Sequence, residues 1–179
     1  MKIISAFVGT FLLTVILSSS TPEDWVLLEN SNFRILFPQK PQDQTQTVNT
    51  ALGKLNMETY IYEVPDSQKD DNLIYMLAQT TYPDTAINSD KTGLIDKFFR
   101  GSIDGAVKSV HGKLRSETII QLNGYPGRKV RIDFNEGLAV INMRFYLVKN
   151  ILYASETITE SKNDSNKSID KFFGSFSLK

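Results

Sequence analysis

The chain has 179 residues, enough for one domain with its own core, and its 20 basic and 20 acidic side chains leave a formal charge of zero. That balance excludes a general nucleic-acid binder, which needs a phosphate-neutralising excess of Lys and Arg. The absence of cysteine excludes a disulfide framework, thiolate catalysis and Cys-ligated metals; 41% apolar and 11% aromatic residues suit a globular protein that folds on its core alone.

The first residues read as a targeting segment. Lys2 precedes an uncharged run from Ile3 to Leu17, followed by Ser18-Ser19-Ser20, the pattern of a short basic region, an apolar stretch and a small-residue cleavage site. The apolar run is short for spanning ~30 Å of hydrocarbon. Cleavage is expected before Thr21, which divides the chain into a signal peptide (1–20) and a single globular domain (21–179); an uncleaved N-terminal anchor is the competing reading. Loss of Lys2 leaves 19 basic and 20 acidic side chains. The domain is expected outside the cytoplasm, periplasmic or secreted, with no integral membrane segment after cleavage.

Trp25 opens a short segment to Leu28. A strand follows with Phe33, Ile35 and Phe37 on one face, ended by Pro38. Residues 45–50 are polar and β-branched, as in an edge strand. From Leu55 to Val64, Leu55, Met57, Thr59 and Ile61 oppose Asn56, Glu58, Tyr60 and Tyr62. The run from Asn72 to Tyr82 is apolar on both faces, with Leu73, Tyr75 and Leu77 against Ile74, Met76 and Ala78, and so reads as a central strand covered twice. Ser89 or Asp90 is placed to cap a helix over 92–110, whose Ile95, Phe98, Phe99, Ser102, Ala106 and Val110 share a helical period. Gly101 and Gly105 each cost ~1 kcal/mol there; their four-residue spacing would permit close approach to the sheet, and a kink or break there is the competing reading.

Residues 113–159 predict an antiparallel meander of four strands. Asn123-Gly124, Asn135-Glu136-Gly137 and Lys149-Asn150 supply its turns. Its third strand alternates Ala139, Ile141, Met143, Phe145 and Leu147 against Asn142, Arg144 and Tyr146. A last helix is expected from Asn163 or Asp164 through Ile169, Phe172 and Phe173 to Gly174. Ile95-Asp96-Lys97-Phe98-Phe99 recurs as Ile169-Asp170-Lys171-Phe172-Phe173, which two amphipathic helices docking aromatic pairs on one sheet explain without duplication.

Catalytic chemistry finds no constellation. His111, the sole histidine, has no partner named by sequence and reads as a solvated residue beyond a helix end. Asp66, Asp70 and Asp71 share a loop but lack the ligand alternation and bend glycine of a calcium site. Neither a phosphate loop nor a nucleophile elbow is present. The candidate binding residues are Arg131, Arg144 and Tyr146 on the polar face of the meander, with Tyr60 and Tyr62 on a hairpin arm. No metal, cofactor or catalytic residue is expected.

Trp25, Phe33-x-Ile35-x-Phe37-Pro38, Arg144, Leu152-Tyr153 and a closing Phe172-x-x-Ser175-Phe176 resemble the PsbP-like family, whose fold is shared by a Ran-binding nuclear import factor. The resemblance spans nearly the whole domain and implies an α+β fold, an α/β/α sandwich with a central antiparallel sheet. Plant and cyanobacterial members of that family help organise the oxygen-evolving complex in the thylakoid lumen. The function it implies is a non-catalytic, exported binding or assembly-accessory module acting on another envelope or secreted protein. A small-molecule or lipid-binding protein, with a cleft between helix and sheet lined by Tyr60, Tyr62 and Tyr146, is the alternative.

Overall fold

A computed structural model of the protein describes residues 25–50 and 53–179; the expected leader and the expected cleavage before Thr21 lie outside them. Among the described residues, ten strands and two α-helices make a mixed α+β fold whose strand pairings are all antiparallel. The large sheet has seven strands: β3 (Gln42–Thr50), β4 (Gly53–Glu63), β5 (Asn72–Thr81), β6 (Lys113–Leu122), β7 (Tyr125–Phe134), β8 (Ala139–Val148) and β9 (Ile151–Glu160). Their order is β3-β4-β5-β9-β8-β7-β6. Two consecutive meanders are thus joined side by side, through β5 and β9. A three-stranded sheet of β1 (Val26–Glu29), β2 (Phe33–Phe37) and β10 (Ser177–Leu178) stands apart from it, so the Phe33–Phe37 strand belongs to a second layer.

The period of two then divides the core. On one face, Tyr75, Leu77, Tyr146 and Tyr153 meet β2 and helix α2 (Lys167–Ser175), burying Phe33, Ile35, Phe37, Ile169, Phe172 and Phe173. On the other, Val130, Ile132, Ile141, Phe145, Leu147 and Leu152 meet helix α1 (Ile95–Ser109) through Ile95, Phe99 and Ile103. Phe98 is only partly buried and packs edge-on to Tyr82. The repeated pentapeptide therefore serves two helices on opposite faces.

Four local expectations are corrected. Leu73 does not face with Tyr75 and Leu77: the β5–β9 register shifts between Asn72 and Ile74, and the bulge turns Leu73 outward. Ser89 and Asp90 do not cap α1. They bind Lys149 instead, through its backbone N–H (3.0 Å) and its ammonium (2.9 Å). Helix α2 starts later than expected, because Asn166 is its cap and accepts from the Ile169 N–H at 2.9 Å. Gly101 and Gly105 lie on the exposed side of α1, where an added Cβ would meet no neighbour within 4 Å.

The glycine that a close approach does require is Gly127 in β7, where a Cβ would sit 2.5 Å from the Phe145 carbonyl oxygen and 2.6 Å from the Tyr146 ring. Gly101→Ala and Gly105→Ala should each stabilise the protein by about 1 kcal/mol, raising Tm by roughly 2–4 °C. Gly127→Ala should destabilise it by about 1–3 kcal/mol. Thermal unfolding of the three variants checks both signs, and a neutral Gly127→Ala would contradict the packing described.

Candidate functional site

On the α2 side of the sheet, β7 presents Lys129, Arg131 and Asp133, and β8 presents Asn142, Arg144 and Tyr146. The register sets Lys129 beside Arg144 and Arg131 beside Asn142. The segment leading into α2 lies over this row. Asp164 receives hydrogen bonds from Arg131 and, at 2.8 Å, from the Asn142 amide. Asp133 accepts from Arg115 at 2.6 Å and from Arg131 at 3.2 Å. Burial favours the neutral form of Asp133, but the bonds from Arg115 and then Arg131 outweigh it and hold the carboxyl below the usual range.

At the other end of the row the Arg144 guanidinium lies over the Phe173 ring, 5.0 Å from its centroid, and donates to the Phe173 carbonyl at 3.4 Å. Its Nε is buried and has no hydrogen-bond partner among the described residues. Between the row and α2 opens a cleft of about 100 Å³, lined by Lys129, Asn142, Arg144, Asp164, Asp170 and Phe173 among others. Lys129 and Asp170 make no ion pair among the described residues. A small-molecule site usually offers ~300–1,000 Å³; this cleft accommodates the end of one side chain or a few waters. It offers an ammonium, a guanidinium edge and an amide, together with the carboxylates of Asp164 and Asp170, to whatever enters.

Of the five residues expected to bind, the structure brings Arg131, Arg144 and Tyr146 to this row and places Tyr60 and Tyr62 on β4, farther across the same face. Tyr146 is buried and stacks on Phe176 at 5.9 Å with an interplanar angle of 10°. Tyr60 is half-buried and edge-on to Phe33 at 5.8 Å, and burial pushes its phenol pKa up. Tyr62 stacks on Tyr75 at 6.4 Å and hydrogen-bonds Gln68. The tyrosine-lined cleft expected between helix and sheet is therefore filled by rings. Lys129 and Asn142 were not among the residues expected to bind, although strand alternation puts them on the face of Arg131 and Arg144. Asp164 was legible only as the expected start of the last helix.

A second polar cluster ties β5 to α2. The fully buried Asn72 amide donates to the Tyr75 hydroxyl (2.6 Å) and to Asn166 (3.2 Å), and Asn166 donates back at 3.0 Å. Tyr75 donates to Asp70 at 2.8 Å. Burial first, then the Asp70 charge, pushes the Tyr75 phenol pKa up. Asp70 is thus a structural acceptor. No group of three or more His, Cys, Asp or Glu side chains among the described residues is placed to hold a metal ion. His111 is exposed just past α1, with φ of 50°. No helix among the described residues is long and apolar enough to cross a membrane.

No protein-family model matches the chain, and no curated protein matches it. Among solved structures it is similar to PA94, a protein of unknown function from Pseudomonas aeruginosa, with 11% identity, a TM-score of 0.43, and coverage of 66% of this chain and 85% of that one.

The α1 face holds one unusual acid. Glu156 sits between Met76 of β5 and Met143 of β8, half-buried, and burial pushes its carboxyl pKa from 4.5 up to about 7. The folded protein holds this proton more tightly than the unfolded chain does. The resulting stabilisation is complete below pH ~4.5 and is lost as the pH rises through about 7. Glu156→Gln should match the parent protein at pH 5 and exceed it at pH 8, read as urea midpoints; equal midpoints at pH 8 would contradict the assignment.

Proposed function

We propose that this chain is a non-catalytic, exported binding or assembly-accessory module of PsbP-like α/β/α architecture, that it uses no cofactor, and that its partner is another envelope or secreted protein. The layer order supports the architecture: α1 lies on one face of an antiparallel sheet, and α2 with a small sheet lies on the other. The leader-like residues 1–20 support export.

The observation that carries the binding role is the contrast on the α2 face. Its apolar space is filled by stacked and edge-on rings, while the Lys129–Arg144 end of the polar row borders a cleft sized for a single side chain. A cleft of that kind suits an amide side chain presented on a partner's surface, whose oxygen would meet Lys129 and the Arg144 guanidinium and whose N–H would meet the Asp170 carboxylate. A free ligand of ordinary size has no room there.

The test is recovery of partner from the native envelope with tagged protein. Lys129→Glu and Arg144→Gln should each lower recovery at least several-fold, and Lys129→Glu should leave Tm within roughly 3 °C because exposed substitutions stay near ±0.5 kcal/mol. Unchanged recovery with both would remove the cleft from the reading. Tyr146→Ala is the contrasting variant, since truncating a buried ring costs about 3–5 kcal/mol and lowers Tm directly. Intact mass of the native protein decides export with cleavage: a species beginning near Thr21 is expected, and one retaining Met1 in the membrane fraction would mean an anchor.

A further inference from the structure

We propose that a groove bounded by three tight turns, on the side of the large sheet that carries β2 and β10, binds an uncharged saccharide of two or three rings. The site lies apart from the α2 cleft and does not rest on the partner reading. The groove measures about 450 Å³, inside the ~300–1,000 Å³ usual for small-molecule sites. Asn32 of the β1–β2 turn, Asn123 of the β6–β7 turn and Asn150 of the β8–β9 turn line it. Its more buried lining comes from Tyr125, which is half-buried, and Tyr153, which is 2% exposed.

The lining selects for hydroxyl groups. The Tyr153 ring packs against Phe33 at 5.8 Å and Phe176 at 5.4 Å, yet its hydroxyl makes no hydrogen bond among the described residues. A phenol this deeply buried ordinarily has a partner. Burial first, then the Glu58 charge, pushes its pKa up to about 12, so it remains an O–H donor at neutral pH. The Asn123 amide is also without a hydrogen bond among the described residues. Asn150 donates to the Tyr82 carbonyl at 2.6 Å and keeps its side-chain oxygen as an acceptor. An amide sets donor and acceptor side by side, which matches a sugar hydroxyl that both donates and accepts. Beside these groups, Val148, Ile151 and Leu178 offer apolar contact to the C–H face of a ring.

Charge argues against an ionic occupant. The two lysines on the groove are already paired, Lys149 with Asp90 at 2.9 Å and Lys179 with Glu29 at 3.0 Å. No carboxylate side chain is among the described lining residues. A cation therefore finds no counter-charge there, and an anion must compete with a formed ion pair. The turns are also preset. Asn123 and Lys149 hold left-handed positions, with φ of 51° and 53°. The Asn30 side chain accepts from the Asn32 and Phe33 N–H groups at 2.8 and 3.1 Å, and the Asn32 carbonyl accepts from the Lys179 N–H at 3.1 Å. The Asn150 carbonyl accepts from the Tyr82 N–H at 2.9 Å. Little backbone ordering is left to be done on binding.

The test titrates isotopically labelled native protein with maltotriose, cellotriose and chitotriose, and with inorganic phosphate as the charged control, following backbone amide NMR shifts. At least one trisaccharide should give saturable shifts at Asn123, Tyr125 and Asn150, with a Kd of about 1 mM or tighter. Tyr153→Phe removes the unbonded hydroxyl and keeps the ring, and Asn123→Gly removes the amide while suiting the left-handed turn. Both variants should keep Tm within roughly 3 °C of the parent, and each should weaken binding about threefold or more. The proposal is overturned by the absence of saturable shifts with all three sugars up to about 20 mM. Unchanged affinity in both variants overturns it too, as do the same shifts produced by phosphate, or sugar-induced shifts confined to Lys129 and Arg144. Recovery of partner through the α2 cleft is read by different variants, so either reading can fail while the other stands.

Discussion

The pairing of β5 with β9 is the contact on which the remaining architecture depends. It runs antiparallel from Asn72↔Thr159 to Thr81↔Ile151 and, among the described residues, is the only ladder of the large sheet that joins strands distant in sequence. Closing the loop between residues 81 and 151 carries an entropic cost on the order of 4 kcal/mol beyond that of a minimal loop. What offsets it is the core assembled once the pairing exists. Tyr75, Leu77 and Tyr153 come together on one face and receive β2 and α2, while Leu152 on the other joins the cluster under α1. Without this ladder each meander would have a solvent-exposed apolar face and no partner layer.

Helix α2 depends on the same strand through polar contacts. Asn166 caps the helix and at the same time exchanges hydrogen bonds with Asn72, which is fully buried at the start of β5. A buried amide left unpaired would cost about 1–3 kcal/mol, so reciprocal pairing sets the axial position of the helix as well as its first turn. Asp164 adds a second constraint by bridging Arg131 and Asn142. The cleft beside Lys129 and Arg144 is thus bounded by a helix whose start is held at two points, and its dimensions follow from those bonds.

How much of this was legible in the sequence depended on the range of the governing interaction. The meander of residues 113–159 was, because its turns are local: Asn123 and Gly124 at φ of 51° and 83° satisfy a two-residue hairpin in isolation. Strand alternation likewise placed Ile141, Met143 and Phe145 together. What failed was information carried by distant contacts. The bulge at Leu73 arises from pairing with β9, and the capping role of Ser89 and Asp90 was displaced by Lys149, some sixty residues away. Gly101 and Gly105 misled because helical spacing places residues on a common face but does not say which face meets the sheet. The tyrosines misled for a related reason. Tyr60 and Tyr146 have polar tips and apolar bodies, and the arrival of Phe33 and Phe176 from the second layer packs their rings, while Tyr62 stacks on Tyr75 of the neighbouring strand.

The edges of the large sheet narrow how a partner can engage it. A free strand edge invites pairing by another chain unless charge or irregularity opposes it. Strand β6 has both: Lys113, Arg115 and Glu117 lie along it, and its register with β7 shifts between Leu114 and Ser116. Its neighbour Arg128, almost fully buried, lies 4.8 Å over the Phe99 ring and draws Glu117 (3.2 Å) and Asp96 toward it, tying the edge to α1. Removing either acid would leave that guanidinium short of a counter-charge in a desolvated position, so the edge is held in place as well as guarded. Strand β3 pairs with β4 without a register shift and carries Asp43 as its one charged residue, with Gln42, Gln44 and Gln46 exposed along it. Its protection is polarity alone. Recognition by strand addition is therefore opposed at one edge and only weakly opposed at the other. Side-chain contact at the ends and faces of the sheet needs neither edge, and the capped start of α2 is among the features this fold holds most firmly.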